Sequence, residues 1–237
     1  MFVTVLAMSV VAVPQVDAAQ AGDLIKMDGL SSVYYLGADG KRYVFPNEST
    51  YFSWYKDFSS VVTIPQAELE SYPLGQNVTM RPGTNLVKIT TDPKVYAVEP
   101  GGDLRPIPDE ATAEALYGAN WNQRIVDVPD AFFTNYNVTD EEVESDMYPA
   151  GSLVQFGDSS DVYYIDGDGM ARKVADESAF LANRFQWDHI LSADAGMMPT
   201  EGDEITGAED DLIDTSEGAG GTAGAGTGLT AALASDT

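Results

Sequence analysis

The sequence predicts an α+β protein, β-rich overall, made of three tandem repeats, each a three-stranded antiparallel β-meander plus one helix. Three observations predict it. The stretch VYYLGADGKRYVF has Val33, Tyr35, Tyr43 and Phe45 alternating on either side of Ala38-Asp39-Gly40, a turn sequence that joins paired strands. Its second strand runs into Pro46, which cannot donate to a ladder, and then into Asn47-Glu48, a helix-capping dipeptide. Both features return downstream: Tyr34, Tyr96 and Tyr163 recur at intervals of 62 and 67 residues, and the cap recurs as Asp109-Glu110 and Asp176-Glu177.

Taken in order, Met1 to Val13 is an apolar run too short for a membrane helix, and Pro14 breaks it. Val16-Asp17-Ala18 or Ala19-Gln20-Ala21 then offers a small-x-small cleavage site, so residues 1–21 read as a signal peptide and the chain as exported. No Lys or Arg precedes Lys26, so either the α-amino group serves as the basic region or Met1 is an internal start of a truncated chain. Unit one, residues 22–83, opens with the strand Leu24-Ile25-Lys26 and continues through the hairpin. A helix from Glu48 follows, carrying Tyr51, Phe52, Trp54 and Tyr55, then Phe58 and a short exit strand, Val61 to Ile64. Unit two, 84–151, repeats this as Leu86-Val87-Lys88, a hairpin turning at Pro100-Gly101-Gly102, a helix ending near Trp121, and Ile125-Val126. Unit three, 152–207, repeats it as Leu153-Val154-Gln155, a hairpin turning at Gly167-Asp168-Gly169, a helix ending near Trp187, and Ile190-Leu191. The acidic joint Asp140 to Asp146 is the expected flexible hinge. Residues 208–228 read as an acidic, then Gly/Ala/Thr-rich linker, and 229–237 as the start of a further C-terminal domain.

The 237 residues carry 38 acidic and 12 basic side chains, a formal charge of −26. Such a surface repels nucleic acid and anionic lipid. With no cysteine, disulfides, thiolate metal sites and cysteine nucleophiles are excluded. A unit of about 60 residues buries only about 60% of its unfolded surface, so each is expected to lean on its neighbours.

Little in the chain points to catalysis. The single histidine, His189, follows Trp187-Asp188 at a helix end, where the helix dipole would favour an imidazolium, and it has no counterpart in the other units. Cation binding is the chemistry the residues do suggest. Asp158, Asp161, Asp166 and Asp168 flank the third hairpin with the oxygen density Ca²⁺ prefers, although the twelve-residue EF-hand series is absent and Asp-Gly also suits a plain turn. Tyr51, Trp54 and Tyr55 could stack on sugars, but their helical spacing suits a core.

The segments DGKRYVFPNESTYFSWYKDFSSVVTI, NVTMRPGTNLVKITTDPKVYAVEPGGDLRPI and LYGANWNQRIVDVPDAFFTNY resemble secreted S-layer-like repeat surface proteins of candidate-phyla-radiation (Patescibacteria) bacteria. The resemblance covers Gly22 to about Tyr136 and extends loosely into unit three. It implies a signal peptide, repeats, a Gly/Thr-rich linker and immunoglobulin-like β-domains, with no catalytic residues to carry over. The expected function is a non-catalytic, extracellular structural protein: the N-terminal repeat region of an S-layer or envelope-associated protein. Its partners would be other copies of itself in a lattice or a cell-envelope glycan, without nucleic acid and without a membrane span after signal removal. The alternative is a secreted carbohydrate-binding or adhesion module.

Overall fold

Each strand expected between residues 22 and 207 is paired in the computed structural model of the protein, which describes residues 18–216. Most of the expected signal region, the Gly-rich linker from Glu217 and the start of a further domain lie outside the described residues. In the first sheet β1 (Leu24–Met27), β2 (Tyr34–Leu36) and β3 (Arg42–Val44) form the expected antiparallel meander, with Leu24 opposite Tyr35 and Tyr35 opposite Tyr43. The sheet does not stop there. The chain crosses by α1 (Glu48–Trp54) to β4 (Val61–Ile64), which pairs parallel to β1. It returns by α2 (Gln66–Ser71) to β5 (Leu74–Asn77), parallel to β3. The sheet is therefore mixed and five-stranded, in the order β4-β1-β2-β3-β5. A three-stranded meander leaves both edges open, and these two short strands close onto them.

The second sheet contains β6 (Leu86–Ile89), β7 (Val95–Glu99), β8 (Asp103–Pro106), β9 (Ile125–Val128) and β10 (Asn137–Val138), ordered β9-β6-β7-β8-β10. Its helices are α3 (Glu110–Tyr117) and α4 (Asp130–Phe133). The third contains β11 (Leu153–Phe156), β12 (Tyr163–Ile165), β13 (Ala171–Lys173) and β14 (Leu191–Ala193), ordered β14-β11-β12-β13, with α5 (Glu177–Ala182) crossing over. Where the other sheets have a fifth strand, this one has two isolated parallel bridges, Ala171 to Glu201 and Val174 to Ile205. A last turn of helix, α6 (Asp210–Ile213), follows. No helix among the described residues is long and apolar enough to cross a membrane.

Local chemistry explains the helix starts. Asn47, Asp109 and Asp176 each hold an extended backbone, and each Oδ1 accepts from the amide three residues on (Thr50, Thr112 and Ala179), at 2.8 Å in every case. That bond satisfies one of the free N–H groups of a first turn. At the chain's entrance to each sheet stands a glycine with positive φ, Gly22, Gly83 and Gly151, whose N–H donates to the carbonyl of Leu36, Val98 and Ile165 respectively. Gly83 and Gly151 also meet: a Cβ on Gly83 would lie 2.1 Å from the carbonyl carbon of Gly151. Only a bare backbone lets the two joints touch.

Each sheet buries both faces, which is why its strands carry apolar residues at consecutive positions rather than strictly alternating ones. Leu24, Tyr35 and Phe45 pack under α1 with Tyr51, Trp54 and Tyr55, while Ile25, Leu36 and Ile64 pack under α2. In the third sheet Leu153 and Tyr164 pack under α5 with Phe180 and Phe185. Its other face, with Val154, Phe156, Ile165 and Leu191, shares one cluster with Leu86, Leu116 and Tyr117 of the second unit. The second and third sheets thus share the apolar surface of α3, so neither core closes without the other.

Two expectations change. The acidic joint is not a loose hinge: Thr139 and Val143 donate to the carbonyls of Leu104 and Pro106, and Val143 is buried between the second and third units. The charged side chains point outward while the backbone is stitched to β8. The folded body also extends past residue 207 into the expected linker. Leu212 packs in the core of unit three, and Glu209 forms a two-pronged ion pair with Arg172 at 2.8 and 2.7 Å.

Candidate functional site

The three units converge on one buried arginine. Arg81, on the joint between units one and two, sits with its guanidinium between the rings of Trp54 and Phe185, 5.2 and 5.0 Å from their centroids. It donates to the carbonyls of Asn183 (2.7 Å), Arg184 (2.6 Å) and Leu212 (3.2 Å). Asn183 and Arg184 directly follow α5, so a cation from one joint satisfies the negative end of another unit's helix. Among the described residues no carboxylate pairs with it, and burial lowers its pKa to about 10.

Arg184 holds the other side of this junction. It is the only non-glycine among the described residues with a positive φ, 56°, a conformation that costs an L-residue about 1–2 kcal/mol. The twist lets its guanidinium donate to the Tyr55 hydroxyl (2.9 Å) and the Ile213 carbonyl (2.8 Å). Tyr55 in turn bonds Thr215, so the segment after α6 is clamped to unit one.

Above this floor opens a cleft of about 1250 Å³, walled by all three units. Unit one contributes Glu48, Phe52 and Lys56 from and just beyond α1. Unit two contributes Asn85 and, from the 3₁₀ turn Trp121–Arg124, Gln123 and Arg124. Unit three contributes Leu181 and the run Arg184 to His189. Trp187 is the outstanding group: it is 55% exposed, and its inner face stacks on Phe180 at 4.0 Å and 14°. Packed on one side only, the indole presents a fixed flat surface to solvent. Gln186 is anchored by donating to the Phe52 carbonyl at 2.8 Å, and Arg124 reaches the Thr84 carbonyl at 3.3 Å. Neither Arg124 nor Lys56 has a carboxylate within ion-pair distance among the described residues, leaving two cations available in an acidic protein.

His189 lines the cleft as a neutral imidazole. Burial first, and then the Arg81 and Arg124 cations, push its pKa down to about 4 against the opposing pull of Asp188. The imidazolium expected at a helix end is disfavoured, because burial and then the Arg81 and Arg124 cations oppose the charge, and the residue ends only a single 3₁₀ turn, Trp187–His189.

No family model matches the chain, and neither does any curated protein or solved structure. What the site can do therefore rests on its geometry.

The expected calcium ligands are not brought together. Asp161 pairs with Lys173 at 2.9 Å, whereas Asp166 accepts from the amides of Asp168 and Met170 at 3.0 and 2.9 Å, closing the hairpin turn. The two lie at opposite ends of β12, and five residues of extended chain span about 16 Å, far beyond one cation's ligand shell. Asp158 and Asp168 are exposed. Among the described residues no group of three or more His, Cys, Asp or Glu side chains could hold a metal ion.

The aromatics Tyr51, Trp54 and Tyr55 are buried core residues, of which Trp54 and Tyr55 border the cleft without exposing a ring face to it. Phe52 and Trp187 are the exposed aromatics of the cleft instead. The sequence carries a sign of this: Trp187 follows the third helix where Phe58 follows the first. Phe58 is also half exposed and stacks on Tyr51 at 4.4 Å. The placing of Trp187 and Arg124 on one cleft has no local sequence signature, because it depends on how units two and three dock.

Proposed function

We propose that this chain is the repeat region of a secreted, non-catalytic surface protein of S-layer type, which holds a cell-envelope glycan in the cleft between its three units. The observation that carries the proposal is the cleft itself: an exposed indole backed by Phe180, in a cleft also lined by Gln123, Arg124, Gln186 and Asp188. A flat apolar platform in a cleft with planar hydrogen-bonding groups suits a pyranose, which has an apolar C–H face and a rim of hydroxyls. We take the units to be three copies of one module. In support, the three sheets share one order over four strands, and their first two strands pair as Leu24–Tyr35, Leu86–Ala97 and Leu153–Tyr164.

Isothermal titration with envelope-derived oligosaccharides tests the proposal. Binding should be lost in Trp187→Ala in protein that still unfolds cooperatively, and should survive in Phe58→Ala, which removes a comparable half-exposed stacked ring outside the cleft. Equal binding by both variants would refute the cleft as the site. Release of new reducing ends during incubation would instead give Glu48 or Asp188 an acid–base role and refute the non-catalytic part.

Self-association in a lattice is the second reading, favoured by Val62, Leu74 and Val138, apolar residues exposed on the edge strands β4, β5 and β10. Copies carrying −26 repel at close contact, so Ca²⁺ bridging carboxylates of different copies belongs to this proposal. Light scattering with calcium and with chelator tests it. Scattering that does not respond to either would remove calcium from it.

A further inference from the structure

We propose that export processing cuts between Ala18 and Ala19, and that the freed α-ammonium of Ala19 docks on Glu68. The sequence offers two small-x-small sites, ending at Ala18 and at Ala21, without choosing between them. The fold distinguishes them. Ala19 belongs to the body of unit one: its nitrogen donates to Glu68 Oε1 at 2.9 Å, its carbonyl accepts from the Tyr72 hydroxyl at 3.1 Å, and it packs beside Ile25, Leu36 and Leu69. Gln20 is held as well, its amide donating to Asp23 Oδ2 at 2.8 Å and its carbonyl accepting from the Asp23 amide at 3.0 Å. Cleavage after Ala21 would remove all four bonds and uncover the α2 face of the first sheet. Cleavage after Ala18 would remove none of them, and Ala18 itself is exposed.

The chemistry of the cut improves the contact it leaves. A signal peptidase adds water across the Ala18–Ala19 bond, the hydroxyl going to the carbonyl carbon of Ala18 and the proton to the nitrogen of Ala19. That nitrogen, a neutral amide with one donor before the cut, leaves as an amine and takes up a proton equivalent to the one the new Ala18 carboxyl group sheds, becoming an ammonium with three donors at neutral pH. It already lies at hydrogen-bond distance from a carboxylate, so a neutral bond becomes a charge-assisted one without movement. The Tyr72 hydroxyl, which donates to the Ala19 carbonyl, also lies 3.4 Å from the same Glu68 oxygen. Processing would thus lock the first unit as it releases the leader.

The inference rests on the secreted reading and not on the cleft. The test is expression of the full chain in a secreting bacterial host, followed by intact mass and N-terminal sequencing of the exported protein. A start at Ala19 is expected. A clean start at any other residue would overturn the inference alone, while retention of the leader would overturn the secreted reading with it. A second measurement compares Glu68→Gln in protein starting at Ala19 and in protein extended by Ala18. The substitution should lower the melting temperature by about 2–4 °C more in the first, where it removes an ion pair. Equal losses in the two would show that no ammonium–Glu68 pair forms.

Discussion

Replacing Arg81 should loosen the junction between the first unit, the third unit and the segment that follows it. In Arg81→Ala the carbonyls of Asn183, Arg184 and Leu212 lose their donor, and a buried acceptor without a partner costs about 1–3 kcal/mol. The two aromatic faces lose a desolvated cation, about 1–2 kcal/mol each. Against this, the mutant no longer takes a guanidinium out of water, which costs several kcal/mol for a lone buried ion. The net expectation is a loss of about 3–5 kcal/mol, with each kcal/mol lowering the melting temperature by about 2–4 °C at this length. Arg81→Met keeps the aliphatic stem between the rings and separates packing from hydrogen bonding. Arg81→Lys keeps the charge but cannot fork to two carbonyls. Urea melts give the magnitudes, and amide hydrogen exchange gives the location: protection should fall at the end of α5 and around α6, with the β7–β8 hairpin unaffected. An Arg81→Met protein within about 0.5 kcal/mol of wild type would refute the reasoning, because desolvation would then cancel the three bonds.

Other consequences can be checked alongside. Gly83→Ala, whose new Cβ would collide with the backbone of Gly151, should destabilise far more than Gly101→Ala, which has open space and carries only the left-handed backbone cost of about 1–2 kcal/mol; comparable melts would refute the close joint. His189 titrates near 4 when folded and near 6.5 when unfolded, so the unfolded chain binds the extra proton between these values. Its contribution is complete above pH 6.5 and lost as pH falls toward 4, and His189→Gln should flatten that part of the stability curve by about 1–3 kcal/mol relative to wild type. Asn47→Ala should cost about 0.5–2 kcal/mol by freeing the Thr50 amide, and an unchanged urea midpoint would show that the cap is dispensable. Truncation after Gly207 should lower the melting temperature, because Leu212 leaves the core and Arg81 and Arg184 lose carbonyl acceptors; an unaltered melt would return 208–216 to the linker.

What the sequence disclosed was whatever each unit encodes by itself. The hairpin turns, the three caps and the strand beginnings are short-range chemistry, and in the fold Asn47, Asp109 and Asp176 superpose in role down to the same bond length. The outer strands were harder to see. Leu74 to Asn77 has only one large apolar residue, and it is exposed, because an edge strand is held by its ladder and not by burial. The acidic stretches misled in one direction: Asp140 to Asp146 and Glu209 to Asp211 look solvated, yet Val143 and Leu212 within or beside them are core residues. The cleft was least legible, since its walls come from positions 48, 124 and 187, and their proximity is a property of how the units dock.

Charge ties the site to the rest of the molecule. Of twelve basic side chains, Arg81, Arg124 and Arg184 all stand where the units meet, and each donates to backbone carbonyls rather than to a carboxylate. The acids they might have neutralised stay on the outside, so the surface is at least as negative as the net charge of −26. Two effects follow from one arrangement. The junction gains strong donors in a medium of low dielectric, where the polar ends of helices and loops would otherwise go unpartnered. The periphery gains a repulsive field that keeps copies apart in dilute salt and makes their association depend on screening. The cleft lies where the two regimes meet, lined by Lys56 and Arg124 together with Glu48 and Asp188, so that positive and negative groups share one concave surface.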